Sequence, residues 1–458
     1  MNISEWIFLL PDVFLSLLIF LGLILQKRQP SEVISGTVKS LLGYNFILGG
    51  GKIIAAATTP LGQIFVAGLG ITGIVINVEA ATGVALNLYG SDAALVMCGG
   101  LAVNLLLAKF SRWRYVFTTG HQVLYMACVL VVTLHGNGQE GWWLYLLGSL
   151  SLGLLLILSP AMVQKYTREI CQNDKVALGH FGSFAYLLSA WLGKLWGKEE
   201  KHAEDTKLPP WLGFLRDTPV MLFLTIAMID LAATAMAPGF VEENLSGGQP
   251  YWLYAVGMST QFTVGFVVIS TGIRWLVDEI VPAVRGIANA WIKGAIPTVD
   301  CPLVFPYAPN ALLIGFLSSL AGGILSMAGM LATGLPVILP SAVPHFFCGA
   351  TAGIYGNATG GLRGAITGGF VNGVLISCLP LVATPIFARL GQSGVAFADT
   401  DFNLAAMLLN SWLNRAGAGG SLVILVGLII LSVIIPAGLK KREHGSYWFE
   451  NNSNNKKL

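Results

Sequence analysis

Two acidic residues sit where acids are costly. Glu79 lies in ITGIVINVEA (residues 71–80) and Asp300 in IKGAIPTVDC (residues 292–301), each inside a long apolar stretch. Two histidines share that kind of setting. His121 in TTGHQ and His180 in ALGHFGSF each follow a glycine within or beside apolar sequence, and His345 after Pro344 is a weaker third. His135, His202 and His444 lie in polar or charged segments and read as solvated. Imidazoles and carboxylates can hydrogen-bond the hydroxyls of a ligand or pass protons. No HExxH or comparable spacing occurs, so no bound metal is indicated, and no cofactor is implied. No nucleophile stands at a useful spacing, which leaves an intramembrane enzyme built on a His/Asp pair as the weakest reading. Cys98, Cys128, Cys171, Cys301, Cys348 and Cys378 form no CxxC pair and read as small packing residues.

The elements that must position these groups cross a bilayer. Of 458 residues 55% are hydrophobic and 11% charged, with a mean hydropathy of +0.71. A soluble chain carries about 25% charged residues, so much of this surface must face lipid. The net charge of +3 gives no basic face for nucleic acid. Spans of roughly 20 apolar residues fall at Trp6–Leu25, Ala93–Ala108, Val116–Leu134, Trp142–Met162, Met221–Met236, Trp252–Ile273, Ala311–Leu331, Gly364–Phe387 and Ser421–Leu439. Glycine- or proline-rich Leu41–Pro60 and Pro336–Ile354 bring the expected total to about eleven. Trp6–Leu25 lacks the basic start and small-residue end of a signal peptide and reads as a retained helix.

Orientation follows the basic clusters. Lys27/Arg28 after the first span and Lys440–Arg442 after the last place the N-terminus outside and the C-terminus in the cytoplasm. Residues 198–217, KEEKHAEDTKLPPWLGFLRD, form a charged cytoplasmic linker between two halves. The expected division is 1–60 scaffold, 61–197 substrate-holding core, 198–217 linker, 218–285 scaffold, 286–420 core, 421–440 last span and 441–458 polar tail.

Pro60–Asn77 and Gly286–Asn310 are too broken to span, and polar backbone survives at membrane depth only against protein or a cavity. They read as re-entrant hairpins. Residues 71–80 and 292–301 match at one constant offset, with Ile71 on Ile292, Gly73 on Gly294, Val78 on Val299 and Glu79 on Asp300. Matching broken segments in two halves point to a transporter's binding site. The fold class is therefore an all-α polytopic membrane protein with two inverted-repeat halves. Each acid could seal its hairpin tip or bind a polar ligand.

The segment Asp300–Phe316, DCPLVFPYAPNALLIGF, resembles the ascorbate-type membrane component (enzyme IIC) of the bacterial sugar phosphotransferase system. GTVKSLLGYNFILGGGK at 36–52, TTGH at Thr118–His121, LGH at Leu178–His180 and KLPPWL at Lys207–Leu212 match in the same order. The resemblance implies a multi-pass permease of the bacterial plasma membrane, a homodimer with a scaffold and a mobile core that works as an elevator. It also implies a separate cytoplasmic IIB protein, carrying phosphate on a cysteine, that phosphorylates the sugar. Carried over by position, the substrate contacts would be Glu79, Ala80, Ala81, Thr82, His121, Tyr125, His180, Phe181, Asp300 and Cys301. Tyr125 and Phe181 stand where ascorbate carriers hold glutamines, which shifts the expectation towards another sugar, sugar acid or polyol. No IIA or IIB domain is expected on this chain. A secondary transporter or uniporter of the same fold, with no phosphorylation, is the alternative.

Overall fold

The computed structural model describes residues 16, 19, 20, 23, 24, 26–70, 73–197, 202–206, 214, 217–388 and 395–439. Most of the first span, most of the 198–217 linker and the tail 441–458 lie outside the described residues.

Eight described helices are long and apolar enough to cross a membrane. In chain order the helices are α1 (Pro30–Leu69), α2 (Val78–Phe110), α3 (Gly120–Gly136), α4 (Gly141–Cys171), α5 (Ser183–Trp196), α6 (Thr218–Met236), α7 (Pro238–Asn244), α8 (Tyr251–Trp291), α9 (Pro309–Thr333), α10 (Ala350–Ala388) and α11 (Thr400–Leu439). α10 is entered through a short turn, Ala342–Pro344, and a π-turn, His345–Gly349. The apolar helix His345–Phe387 has 43 residues, which would run roughly 65 Å if straight, about twice a hydrocarbon core of some 30 Å. It does not run straight. Gly361 takes φ 60° and ψ −150°, a conformation essentially confined to glycine. A Cβ on Gly356 would lie 2.1 Å from the carbonyl oxygen of Gly364, whereas positions so spaced in a straight helix are about 12 Å apart. The chain folds back on itself at Gly361, so Gly364–Phe387 is the second arm of a hairpin. α11 breaks at Gly417 in a similar conformation, φ 64° and ψ −174°, just before the expected span Ser421–Leu439.

Small residues let these helices approach. A Cβ on Gly353 would meet the Cα of Gly315 at 2.4 Å, joining α10 to α9, and one on Gly265 would meet the carbonyl of Gly50 at 2.9 Å, joining α8 to α1. Without a hydrophobic drive between helices in lipid, such backbone proximity is how they gain packing contacts.

The broken segments take a different form from helical hairpins. They are strands. β1 (Gly73–Ile76) follows α1, and β4 (Ile296–Val299) follows α8. Four more short strands are β2 (Tyr115–Val116), β3 (Ala177–Leu178), β5 (Val337–Leu339) and β6 (Val395–Ala396). They form two parallel three-stranded sheets, ordered β5-β1-β6 and β2-β4-β3. β1 from before the linker sits between two strands from after it, and β4 from after the linker sits between two from before it. Pairing of this kind satisfies the open backbone that lipid would leave orphaned.

Candidate functional site

A cavity of about 300 Å³ opens between the two sheets' following elements, lined by Glu79, His121, Gln122, Tyr125, His180, Asp300, Val343, Cys348 and Asp399 among others. Each of the six described strands is followed, within a few residues, by a residue of that lining. β1 leads to Glu79, β2 to His121, β3 to His180, β4 to Asp300, β5 to Val343 and β6 to Asp399. α2, α3, α5 and α11 also begin at these strand ends, where unpaired N–H groups and the positive ends of helix dipoles favour polar oxygen ligands.

The sheet β2-β4-β3 sets the distance between the key pair. Thr298 in β4 accepts from the Thr118 N–H at 3.1 Å through Oγ1, and its carbonyl accepts from the Thr118 hydroxyl. Asn104 of α2 holds the other edge, donating to the Tyr115 carbonyl at 3.2 Å and accepting from the Phe117 N–H at 3.0 Å. His121, one turn beyond Thr118, therefore faces Asp300, the residue after β4. His121 Nε2 lies 2.8 Å from Asp300 Oδ2. The other oxygen, Oδ1, accepts from the Cys301 N–H at 2.7 Å. Asp300 caps its own segment and faces its histidine at once.

On the β1 side the cap belongs to Asn77, whose Oδ1 accepts from the Ala80 N–H at 2.7 Å. Asn77 follows β1 as Asp300 follows β4. The offset that pairs Glu79 with Asp300 in sequence is thus two residues out of step with the strands. Glu79 lines the cavity without being needed for that cap.

His180 is buried and held on three sides. Its carbonyl accepts from the hydroxyls of Ser159 (3.0 Å) and Ser183 (3.1 Å), and its Nδ1 meets the Tyr186 hydroxyl at 3.0 Å. Nε2 lies 3.6 Å from Asp399 Oδ2. Asp399 Oδ1 accepts from Cys348 Sγ at 3.3 Å. Close by, Asp401 accepts from the N–H groups of Ser183 and Phe184 at 3.0 and 3.1 Å, which ties the start of α5 to the start of α11.

The ten residues expected at the site divide. Glu79, His121, Tyr125, His180 and Asp300 line the cavity. Ala80, Ala81 and Thr82 are buried in the first turn of α2 and do not line it. Phe181 packs against Phe117 and Phe402, with ring centroids 5.4 and 5.5 Å away, and its N–H donates to Gln122 Oε1. Cys301 lies behind Asp300, 3.6 Å from the Tyr186 hydroxyl. Sequence reasoning missed Asp399, Cys348, Gln122 and Arg274, all in the lining. Asp399 carried a usable signal, since FADTD places two acids at the start of the long apolar run 400–439. Two sets of donor atoms, His180/Asp300/Cys301 and His180/Cys348/Asp399, each fall within 4.8 Å of one another among the described residues. They share His180, and Asp300 is already engaged by His121, so at most one set could hold an ion at a time.

Paired imidazoles and carboxylates around a cavity of this size suit a small hydroxyl-rich molecule. A family model, EIIC-GAT, described as the PTS system sugar-specific permease component, matches residues 6–401. The chain belongs to this family. It is also similar to an ascorbate-specific PTS system EIIC component of Mycoplasma pneumoniae (strain ATCC 29342 / M129 / Subtype 1), at 23% identity over 89% of this chain and 70% of that one. The permease is a multi-pass membrane protein of sugar transport within the phosphotransferase system.

Proposed function

We propose that this chain is the membrane-embedded IIC component that binds its sugar in the cavity between His121, His180, Asp300 and Asp399 and carries it inward, while a separate phospho-IIB protein phosphorylates it. The observation that carries this reading is the convergence of the six described strand ends on one cavity. Strands from either side of the linker contribute to it, as expected of two inverted halves that share a site near the bilayer midplane. The proposed movement is elevator-like: residues 61–197 and 286–420 act as the core, and 1–60 with 218–285 act as the scaffold of a homodimer. The N-terminus lies outside and the C-terminus in the cytoplasm.

Ascorbate, named for the Mycoplasma pneumoniae relative, is the first candidate ligand. Of the two aromatic replacements that argued against it, Phe181 packs away from the cavity and only Tyr125 alters its wall. Gln122 brings an amide to the lining as well. Other sugar acids and polyols fit the same chemistry.

Uptake into vesicles holding purified protein tests the reading. Accumulation as the sugar phosphate, dependent on added phospho-IIB, is the expected result. Accumulation of unmodified sugar driven by a proton gradient would replace it with a secondary transporter working through the His121–Asp300 pair.

A further inference from the structure

Most of the lining comes from the strand ends and the helices after them, but one stripe does not. Phe266, Ser270 and Arg274 recur at one-turn spacing on α8 and face the cavity together. Among the described residues Arg274 is the one permanently charged cation of the lining, beside three acids, Glu79, Asp300 and Asp399. Two of those acids are engaged elsewhere, Asp300 by His121 and Asp399 by Cys348 and His180. No ion pair joins Arg274 to any of the three among the described residues, and its side chain bonds Thr271 Oγ1 at 3.2 Å, on its own helix. In sequence, the charge-free run of α8 ends at Ile273, with Arg274, Asp278 and Glu279 following it. In the orientation proposed above, α6 leaves the cytoplasmic linker and α8 returns, so Arg274 stands at the cytoplasmic mouth of the cavity.

An arginine just past an apolar span often anchors to lipid headgroups. An anchor would face lipid; Arg274 faces the cavity that holds the candidate sugar ligands. Its planar fork of donors matches a phosphoryl group bidentately, which a lysine cannot do. We propose that Arg274 binds the phosphoryl group as it passes from the partner's phosphocysteine to the sugar. This rests on the reading of the chain as a group-translocating permease. In the transfer a sugar hydroxyl oxygen attacks phosphorus, the P–O bond forms as the S–P bond breaks, and the hydroxyl proton ends on the departing cysteine sulfur. No further reactant is required. Arg274 neutralises phosphoryl charge at the place where the partner must deliver it, with Thr271 steadying the guanidinium.

Thermal-shift titrations of the full chain in detergent test this with three probes: L-ascorbate, L-ascorbate 6-phosphate and inorganic phosphate. The variants are Arg274→Gln and Arg274→Lys. The expected result is that Arg274→Gln loses roughly tenfold or more in apparent affinity for the ester, the loss of a charge-assisted contact, and distinctly less for ascorbate. Arg274→Lys falls between, and inorganic phosphate competes with the ester in the wild type only. If wild type and Arg274→Gln answer both phosphate-bearing probes alike, Arg274 is a membrane anchor and the proposal is overturned. Equal loss of ascorbate and ester would overturn it too, because Arg274 would then read the sugar's own charge. A wild type that answers no phosphate-bearing probe overturns it as well. Stabilisation by inorganic phosphate through Arg274, with no response to either sugar ligand, would leave the proposal standing and remove ascorbate as the substrate.

Discussion

Thr298 and Thr118 come from opposite sides of the linker, and two hydrogen bonds between them fix where His121 meets Asp300. Neither threonine lines the cavity. Thr298→Val keeps the shape but leaves the buried Thr118 N–H without its acceptor, at a cost of about 1–3 kcal/mol. The expected outcome is a lower melting temperature together with weaker ligand binding, although no ligand contact has changed. A variant that melts earlier yet binds its sugar as the wild type does would separate the strand pairing from the site.

Asp300 has two duties that substitution can divide. Asp300→Asn retains an oxygen for the Cys301 N–H and replaces the oxygen facing His121 with a donor. It should fold with a melting temperature near wild type and lose the ligand-induced shift. Asp300→Ala also loses the cap and should cost about 1 kcal/mol more. An equal ligand shift in Asp300→Asn and wild type would move the binding site elsewhere.

Asp230 on α6 is buried, with Oδ2 accepting from Ser259 Oγ at 2.7 Å and Oδ1 left without a partner. The two side chains join α6 to α8, and Asp230 borders a small void of about 10 Å³ beside Leu339 and Pro340, close to the smallest space a water occupies. Ser259→Ala strips the carboxylate of its donor and should destabilise the protein by about 1–3 kcal/mol. Asp230→Asn keeps an acceptor for Ser259 and should be tolerated. Thermal unfolding in detergent compares them, and a milder effect from Ser259→Ala than from Asp230→Asn would contradict the account.

Gly356→Ala tests the fold-back at Gly361. The added carbon would lie 2.1 Å from a backbone oxygen that no side-chain rotation can move. Overpacking of this severity costs about 1–3 kcal/mol or more, so a sharp loss of folded, monodisperse protein is expected on size-exclusion chromatography. Gly329→Ala, with nothing within 4 Å of the new carbon, is the matched control and should elute normally.

The sequence made the membrane legible because hydropathy is a local property, averaged over a window. Glu79, Asp300, His121 and His180 stood out for the same reason, as polar groups inside apolar runs. The strands were not legible. Two to four residues are too few to show a period, and β2 pairs with β4 far along the chain. Pro60–Asn77 and Gly286–Asn310 were recognisable as broken, but strand pairing across the linker gave them their form. Gly364–Phe387 was legible as a separate span because its apolar length fits one bilayer crossing. The turn that sets it apart was not, since Gly361 is one glycine among several in that stretch and only its backbone angles mark the fold-back. Arg274 carried no signal, since a basic residue after an apolar run normally marks only orientation. Its place in the cavity depends on the turn of α8 that also carries Phe266 and Ser270.

The exchange of strands between the sheets has a consequence for biosynthesis. During translation, β2 and β3 emerge well before β4, and β1 waits for β5 and β6. The binding cavity cannot close until nearly 400 residues have been made, and the early strands must be sheltered until then. Two polypeptides divided within 198–217 should therefore be inactive when made singly and regain transport when made together, because each supplies the middle strand of the other's sheet.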